Sequence, residues 1–535
     1  MFLLRILILG VCATMTWAAD PYERLHYWYP LPKAEHPMVI EADVIAYGAT
    51  PAGVSATIQA RRMGKSAVLV EFGTHVGGLT SSGLSNTDGG NVIGGITREF
   101  YDRVGMLRGF TPAAAETAFR AMLTDAKVPL YTERRLESVV KDGPVVRELV
   151  MENGDRFKAR MFLDCTYEGD LFAKAGASFH VGREANAQYG ESINGVRRPP
   201  SPKHHNFRLP VDPYVVPGDP ASGVLSGITN PAPDAPGILG SGDRRVQAYN
   251  FRMYLAKKPN ALPFPKPKNY DPKRFDLLAR YIAAGATELD DFAQLRTGDS
   301  NNKGAFSTDN IGMNYDWPEG NYQRREEIYQ DHVTYQQGLM WFLTNDERVP
   351  ADIRAKVGAY GLPKDIFIDT GGWPHALYVR EARRLVGEFV MTEHFCRHQK
   401  TVEDGVGLAE YTMDSHNVQR FILKMDGKAQ AQNEGDVQDW VHGPYPVSFR
   451  SILPKRSECA NVLVPVCLSA SHMAYGSIRM EPVFMVLGQS AATAAVLAID
   501  AGLSVQDVPY LKLRERLLAD KQLLVPVKTK EKLNE

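Results

Sequence analysis

The sequence predicts an α/β protein, a parallel sheet with helices on both faces, joined to a second lobe of α+β type. Two observations carry this. Near the start, the apolar run 44–47, a glycine-bearing turn, apolar residues at helical spacing over 54–63 and a second apolar run at 67–70 spell strand, turn, helix, strand. Near the end, residues 461–500 give a strand, a loop and a long apolar helix. A chain of 535 residues is long enough for two or three lobes.

The elements follow in order. Residues 1–19 carry one cation at Arg5, a short apolar stretch and small residues at Thr16, Ala18 and Ala19, the layout of a cleavable signal peptide. The apolar run is shorter than the roughly 20 residues that span a bilayer. An exported protein with no stable membrane span is expected, periplasmic or extracellular. Residues 20–40 form a lead-in rich in proline and aromatic residues. Residues 41–175 are the first part of the sheet domain, with hairpin signals at Asp142-Gly143 and Asn153-Gly154. Residues 176–440 form a cap lobe for substrate, with long surface-following loops over 186–275 and helices around 275–295, 322–346 and 376–396. Residues 441–505 return to the first domain, and 506–535 form a surface tail.

Composition excludes several classes. With 44% apolar and 23% charged residues the chain is neither disordered nor fibrous. Its 61 basic and 62 acidic residues leave no field to gather nucleic acid. Removing the leader takes Arg5 and leaves a net charge near −2. The five cysteines, Cys12, Cys165, Cys396, Cys459 and Cys467, show no C-x-x-C spacing, so neither zinc nor an iron–sulfur cluster is indicated. His204 and His205 are adjacent in a proline-rich loop and do not suggest a metal site.

Gly48, Ala49, Thr50, Pro51, Ala52 and Gly53 form a variant of G-x-G-x-x-G. Gly48 permits a tight turn off the strand, Gly53 permits close packing of helix on sheet, and the helix N-terminus presents free N–H groups to a pyrophosphate. Thr50, at the middle glycine position, either stands back from the phosphate or donates its hydroxyl. Glu71 ends the second strand, where a carboxylate accepts both ribose hydroxyls and disfavours a 2′-phosphate. Gly77, Gly78, Leu79 and Thr80 open a second glycine-rich stretch that reaches Gly83, which favours FAD over NAD.

The sequence resembles the bacterial exported FAD-dependent oxidoreductases of the glutathione-reductase-like flavoprotein superfamily, relatives of heterodisulfide-reductase A-like proteins. The resemblance rests on DVIAYGATPAG, VLVEFGTHVGGLTSSGL, FLDCTYEGDLFAKAG, GGWPHALYVREARR, YTMDSHNVQR, PVSFRSILPKR and SASHMAYGSIRMEPVFMVLGQSAATAA, across most of residues 41–505. It implies a Rossmann-type FAD domain assembled from both ends of the chain, with Asp164 and Thr166 beside the cofactor. It also implies that the helix after Gly476 aims its N-terminus at the pyrimidine edge of the flavin, near Ser477 and Met480. Thr50 and the missing cysteine clusters depart from the pattern, and no iron–sulfur role is carried over.

A flavin enzyme that oxidises an alcohol or amine needs a base and a group that orients the substrate. His472, four residues before Gly476, is the first candidate base, and His416, beside Asp414, is the second. Arg479, Arg450 and Arg380 are candidate anchors for a substrate oxygen, although the Arg380-Glu381 pair reads better as a salt-bridging element. A single dinucleotide fingerprint argues against separate FAD and NAD(P)H domains. The expected activity is a dehydrogenase or oxidase acting on a small polar substrate, a sugar or sugar acid, with oxygen or a carrier as electron acceptor. A flavin-dependent hydroxylase and an exported binding protein that has lost the cofactor are the alternatives.

Overall fold

The computed structural model describes residues 21–526 apart from 87, 198–204 and 293. The predicted leader at 1–19, His204 and the end of the tail lie outside the described residues.

The central sheet starts with β1 (Val39–Tyr47), whose last four residues are buried. A turn leads into α1 (Pro51–Arg62), with Pro51 at its first position, where a missing N–H costs nothing. β2 (Ala67–Val70) pairs in parallel with β1 at the expected residues. β3 (Leu130–Tyr131) extends the sheet beyond β2. The two predicted turns join β4 (Leu136–Asp142), β5 (Val145–Met151) and β6 (Arg156–Asp164) into an antiparallel meander. β6 then runs parallel to β1, and the strand order is β3-β2-β1-β6-β5-β4. Two separate sequence segments thus bring the C-terminal ends of β1, β2 and β6 side by side.

In the cap lobe, α2 (Tyr322–Asn345) matches the expected helix, whereas the one near 275 runs only over Asp276–Ala283. The segment 376–396 is not the helix its spacing suggested. It contains only a strand at Arg383–Leu385 and a helical turn at Glu393–Cys396. Arg380, Glu381 and Arg384 are all buried there in ion pairs, to Asp309, His472 and Glu184 among others. These buried charges are met by partners from separate parts of the chain, and the backbone that presents them is mostly irregular.

The loops over 186–275 do not simply follow the surface. Val246, Tyr249 and Phe251 are buried in the cap core with Trp317, Phe275 and Leu339. Gln336 makes this affordable by accepting from the Phe251 N–H and donating to its carbonyl, both at 2.8 Å.

The chain rejoins the first core at Leu385, ahead of position 441. β7 (Val462–Leu463) pairs with the end of β6, and α3 (His472–Ile478) forms inside the stretch expected to be a loop, capped by the Ser471 hydroxyl. α4 (Glu481–Ala501) is long and apolar enough to cross a membrane, yet 94% of its most apolar stretch is buried within the fold. It crosses α1 closely: a Cβ at Gly488 would lie 2.2 Å from the Ala52 carbonyl, and the Ser55 hydroxyl donates to the Met485 carbonyl at 2.7 Å. α5 (Tyr510–Ala519) buries Leu513 and Leu517 against this core.

Candidate dinucleotide site

A cavity of about 560 Å³ lies at the C-terminal ends of β1, β2 and β6, between the two lobes. A crevice in this position is where open α/β sheets bind ligands. Gly48, Thr50, Glu71, Gly78 and Thr166 line it.

The backbone is shaped for close approach. Gly48 has φ +103°, and a Cβ there would sit 2.8 Å from the Cys165 carbonyl group. A Cβ at Gly53 would fall 2.0 Å from the Gly48 oxygen. The Gly77 N–H donates to the Ala49 carbonyl at 2.7 Å, so the second glycine stretch packs on the first turn. Thr50 turns its hydroxyl away from the turn and donates to the Cys165 carbonyl at 2.8 Å, which leaves the N-terminus of α1 open to the cavity.

Glu71 accepts from the N–H groups of Ala49 and Gly73. Burial raises its carboxyl pKa, and those two donors restrain the rise. The residues present therefore fit a dinucleotide: a helix N-terminus and glycine cradle for the pyrophosphate, and Glu71 for the ribose.

Charges around the rim are strongly perturbed. Burial alone would lower the His75 imidazole, but Asp369 at 3.2 Å and Glu116 at 3.1 Å bring it up to about 9. His375 stacks on it at 3.7 Å between ring centroids, and burial plus the neighbouring cation pushes His375 down to about 3. Deeper in, burial lifts Glu168 to about 7 against the pull of Arg325. Asp170, bridged to Arg325 and Arg383, is held well below the usual range even though burial opposes this.

A second cleft, of only about 20 Å³, lies at the head of α4, with Thr80, Asn86, Asp88, Tyr378, Arg479 and Glu481 among its polar lining and Leu84, Tyr101, Phe110, Met480 and Pro482 among its apolar lining. Tyr167 and Glu481 stand between the two spaces. The Tyr167 hydroxyl donates to the Glu481 carboxylate at 2.9 Å and accepts from the Leu79 N–H, while Thr80 donates to the same carboxylate at 3.2 Å. Burial carries Glu481 up to about 7.

Pro51, Ala52 and Leu79 are buried around the cradle without lining either cavity. Asp164 is fully buried and accepts from the Thr166 hydroxyl and the N–H groups of Thr166 and Phe172, so its oxygens are spent on the turn after β6. Ser477 is also buried, between Tyr445 and the Tyr411 carbonyl.

His472 is 1% exposed, with Nδ1 on Glu381 at 2.9 Å and Nε2 on the Ser415 hydroxyl at 3.0 Å. It faces neither cavity. Arg450 is half exposed, paired with Asp404 at 3.0 Å and lying over Phe389, a surface ion pair remote from both spaces. Arg479 reaches the small cavity, bonded to Tyr378 at 3.1 Å and Asp414 at 3.0 Å. His416 lies behind it, with Nδ1 on Asp309 at 2.8 Å and Nε2 facing Asp414 at 3.6 Å; Arg380 completes the group through Asp309.

Sequence reasoning missed Tyr167, Glu168 and Glu481, although all three stand inside motifs it had singled out. A carboxylate opening an apolar helix was the available signal for Glu481. Tyr378, His75 and His375 also stand inside quoted motifs, but nothing in their spacing set them apart.

No curated protein matches this chain. Among solved structures, a mutant flavin monooxygenase from Stenotrophomonas maltophilia is 20% identical, covering 23% of this chain and 38% of that one, with TM-score 0.20. Thermovibrio ammonificans THI4 is 20% identical, covering 27% and 66%, with TM-score 0.22. L-amino acid deaminase from Proteus vulgaris is 14% identical, covering 29% and 54%, with TM-score 0.23. The chain spans less than two thirds of the length of each. The family model described as FAD dependent oxidoreductase matches residues 43–517. With that match extending over both arms of the sheet and the cavity between them, the chain belongs to the FAD-dependent oxidoreductase family, and its cofactor is FAD.

Proposed function

We propose that this protein is an exported dehydrogenase or oxidase that removes a hydride from a small polar substrate, a sugar or a sugar acid. The observation that supports this most is the cluster of Tyr378, Arg479, Asp414 and His416 behind the narrow cleft at the head of α4, which Asn86 and Asp88 border on one side and Leu84, Tyr101 and Phe110 on the other. Bound FAD supplies the hydride acceptor.

The chain's own residues do the rest. Arg479, fixed by Tyr378 and Asp414, offers guanidinium donors to a substrate oxygen. Asp309 holds His416 by Nδ1 at 2.8 Å, and Nε2, whose contact to Asp414 is the longer one at 3.6 Å, is the nitrogen that takes the hydroxyl proton when a substrate displaces that contact. His416 fits this role better than His472, both of whose ring nitrogens are held at hydrogen-bond distance, 2.9 and 3.0 Å, whereas the Nε2 contact of His416 is 3.6 Å. Tyr167 and Glu481, joined by a hydrogen bond of 2.9 Å, stand between the two spaces, where the substrate meets the cofactor.

The test is anaerobic mixing of the holoprotein with a panel of sugars, sugar acids and amino acids, followed by flavin bleaching. Bleaching by a sugar or sugar acid, slowed at least about 100-fold in His416→Gln with FAD content unchanged, supports the reading. Bleaching only by NADH, with oxygen-dependent product, would replace it with a hydroxylase.

A further inference from the structure

We propose that residues 23–29, which lie ahead of the family's matched range, are a clamp for the adenosine end of FAD. This rests on the family's cofactor and goes beyond it, because the match begins at residue 43. Leu25, Tyr27 and Tyr29 line the 560 Å³ cavity although they precede the first strand of the sheet.

The end of the cavity they wall is set by Glu71. The backbones of residues 71–73 and 131–134 are stitched together there: Glu71 N–H donates to the Tyr131 carbonyl, Arg134 N–H to the Glu71 carbonyl, and Glu133 N–H to the Gly73 carbonyl. A ribose held by Glu71 therefore points its base toward Phe72, Glu133 and Arg135. Tyr27 stacks on Phe72 at 4.7 Å and 24°, and the Arg135 guanidinium lies 4.3 Å from the Tyr29 ring centroid and 5.3 Å from that of Phe72. Arg135 also donates to the Tyr29 carbonyl. Flat aromatic faces with a guanidinium beside them are surfaces on which a purine stacks.

The segment is anchored to both lobes. Glu326 on α2 accepts from the N–H groups of Tyr27 and Trp28 and pairs with His26, and Gln330 donates to the Leu25 carbonyl at 2.6 Å. On the other lobe, Trp28 Nε1 donates to Glu152 at 2.9 Å and the Tyr29 hydroxyl to Glu133 at 2.5 Å. It thus bridges the crevice over the ribose site.

The experiment titrates the deflavinated full chain with FAD, ADP and FMN, in wild type, Tyr27→Ala and Tyr27→Phe. The clamp predicts that Tyr27→Ala weakens FAD and ADP about ten-fold, the loss expected for one stacking ring, leaves FMN unchanged, and that Tyr27→Phe restores binding. In the unmutated protein, FAD and ADP should slow tryptic cleavage after Arg24 while FMN does not. Unchanged ADP affinity in Tyr27→Ala, an equal loss for FMN, or equal protection by FMN overturns the proposal. A wild-type chain that binds none of the three would instead refute the cofactor assignment.

Discussion

Glu481→Gln should gain stability relative to the wild-type protein as pH rises from 5 to 8. Glu481 heads α4, is 6% exposed, and is carried by burial up to about 7 even though Tyr167 and Thr80 donate to it. In the unfolded chain the carboxyl ionises near its ordinary value of 4.5. Because its folded value is raised, its contribution is fully present below 4.5 and is lost as pH rises through about 7. The interval corresponds to on the order of 3 kcal/mol by pH 8. Glutamine cannot ionise and does not suffer this loss. An unfolding entropy of about 2 cal/mol/K per residue over this chain converts that energy to a Tm difference of about 3 °C. Thermal unfolding of both proteins, freed of FAD, at pH 5, 6.5 and 8 measures it. A Tm difference that is the same at all three values would refute a buried, proton-holding Glu481.

Three further outcomes are expected. Gly48→Ala places a methyl against the Cys165 carbonyl at a positive φ, costing about 1–3 kcal/mol in backbone strain alone, and should yield protein with little FAD; full FAD content by absorbance would contradict the cradle. Arg325→Met strands the buried Asp170 with Arg383 as its remaining partner and should cost about 3–5 kcal/mol in denaturant unfolding, whereas a loss under about 1 kcal/mol would show the pair to be incidental. His75, raised to about 9, contributes stability that is complete below 6.5 and lost as pH passes 9, so the Tm advantage of wild type over His75→Gln should shrink across that interval; an advantage that grows instead would contradict the Glu116–Asp369 pairing.

The sheet was legible in the sequence where period and turn chemistry are local. β2 falls on its apolar run, the Asp142-Gly143 and Asn153-Gly154 turns join β4, β5 and β6, and the glycine turn at 48–53 and Glu71 meet at one cavity. The segment 376–396 misled because its apolar spacing is helical while its charges are buried by partners far away in sequence, Asp309 and Glu184 among them. His472 looked well placed because it is close to Gly476 along the chain, but α3 turns its ring into the Glu381 network. The lead-in segment offered no period at all, and its place over the ribose site depends on Glu326 and Glu152, nearly 300 and 124 residues away.

The most direct test of the account is the visible absorption spectrum of the purified protein and of a Glu71→Ala variant, with heat release and identification of any chromophore. The account predicts a two-band flavin spectrum that releases FAD from the wild type, and markedly less FAD in the variant. A colourless wild-type protein that takes up no added FAD would contradict it.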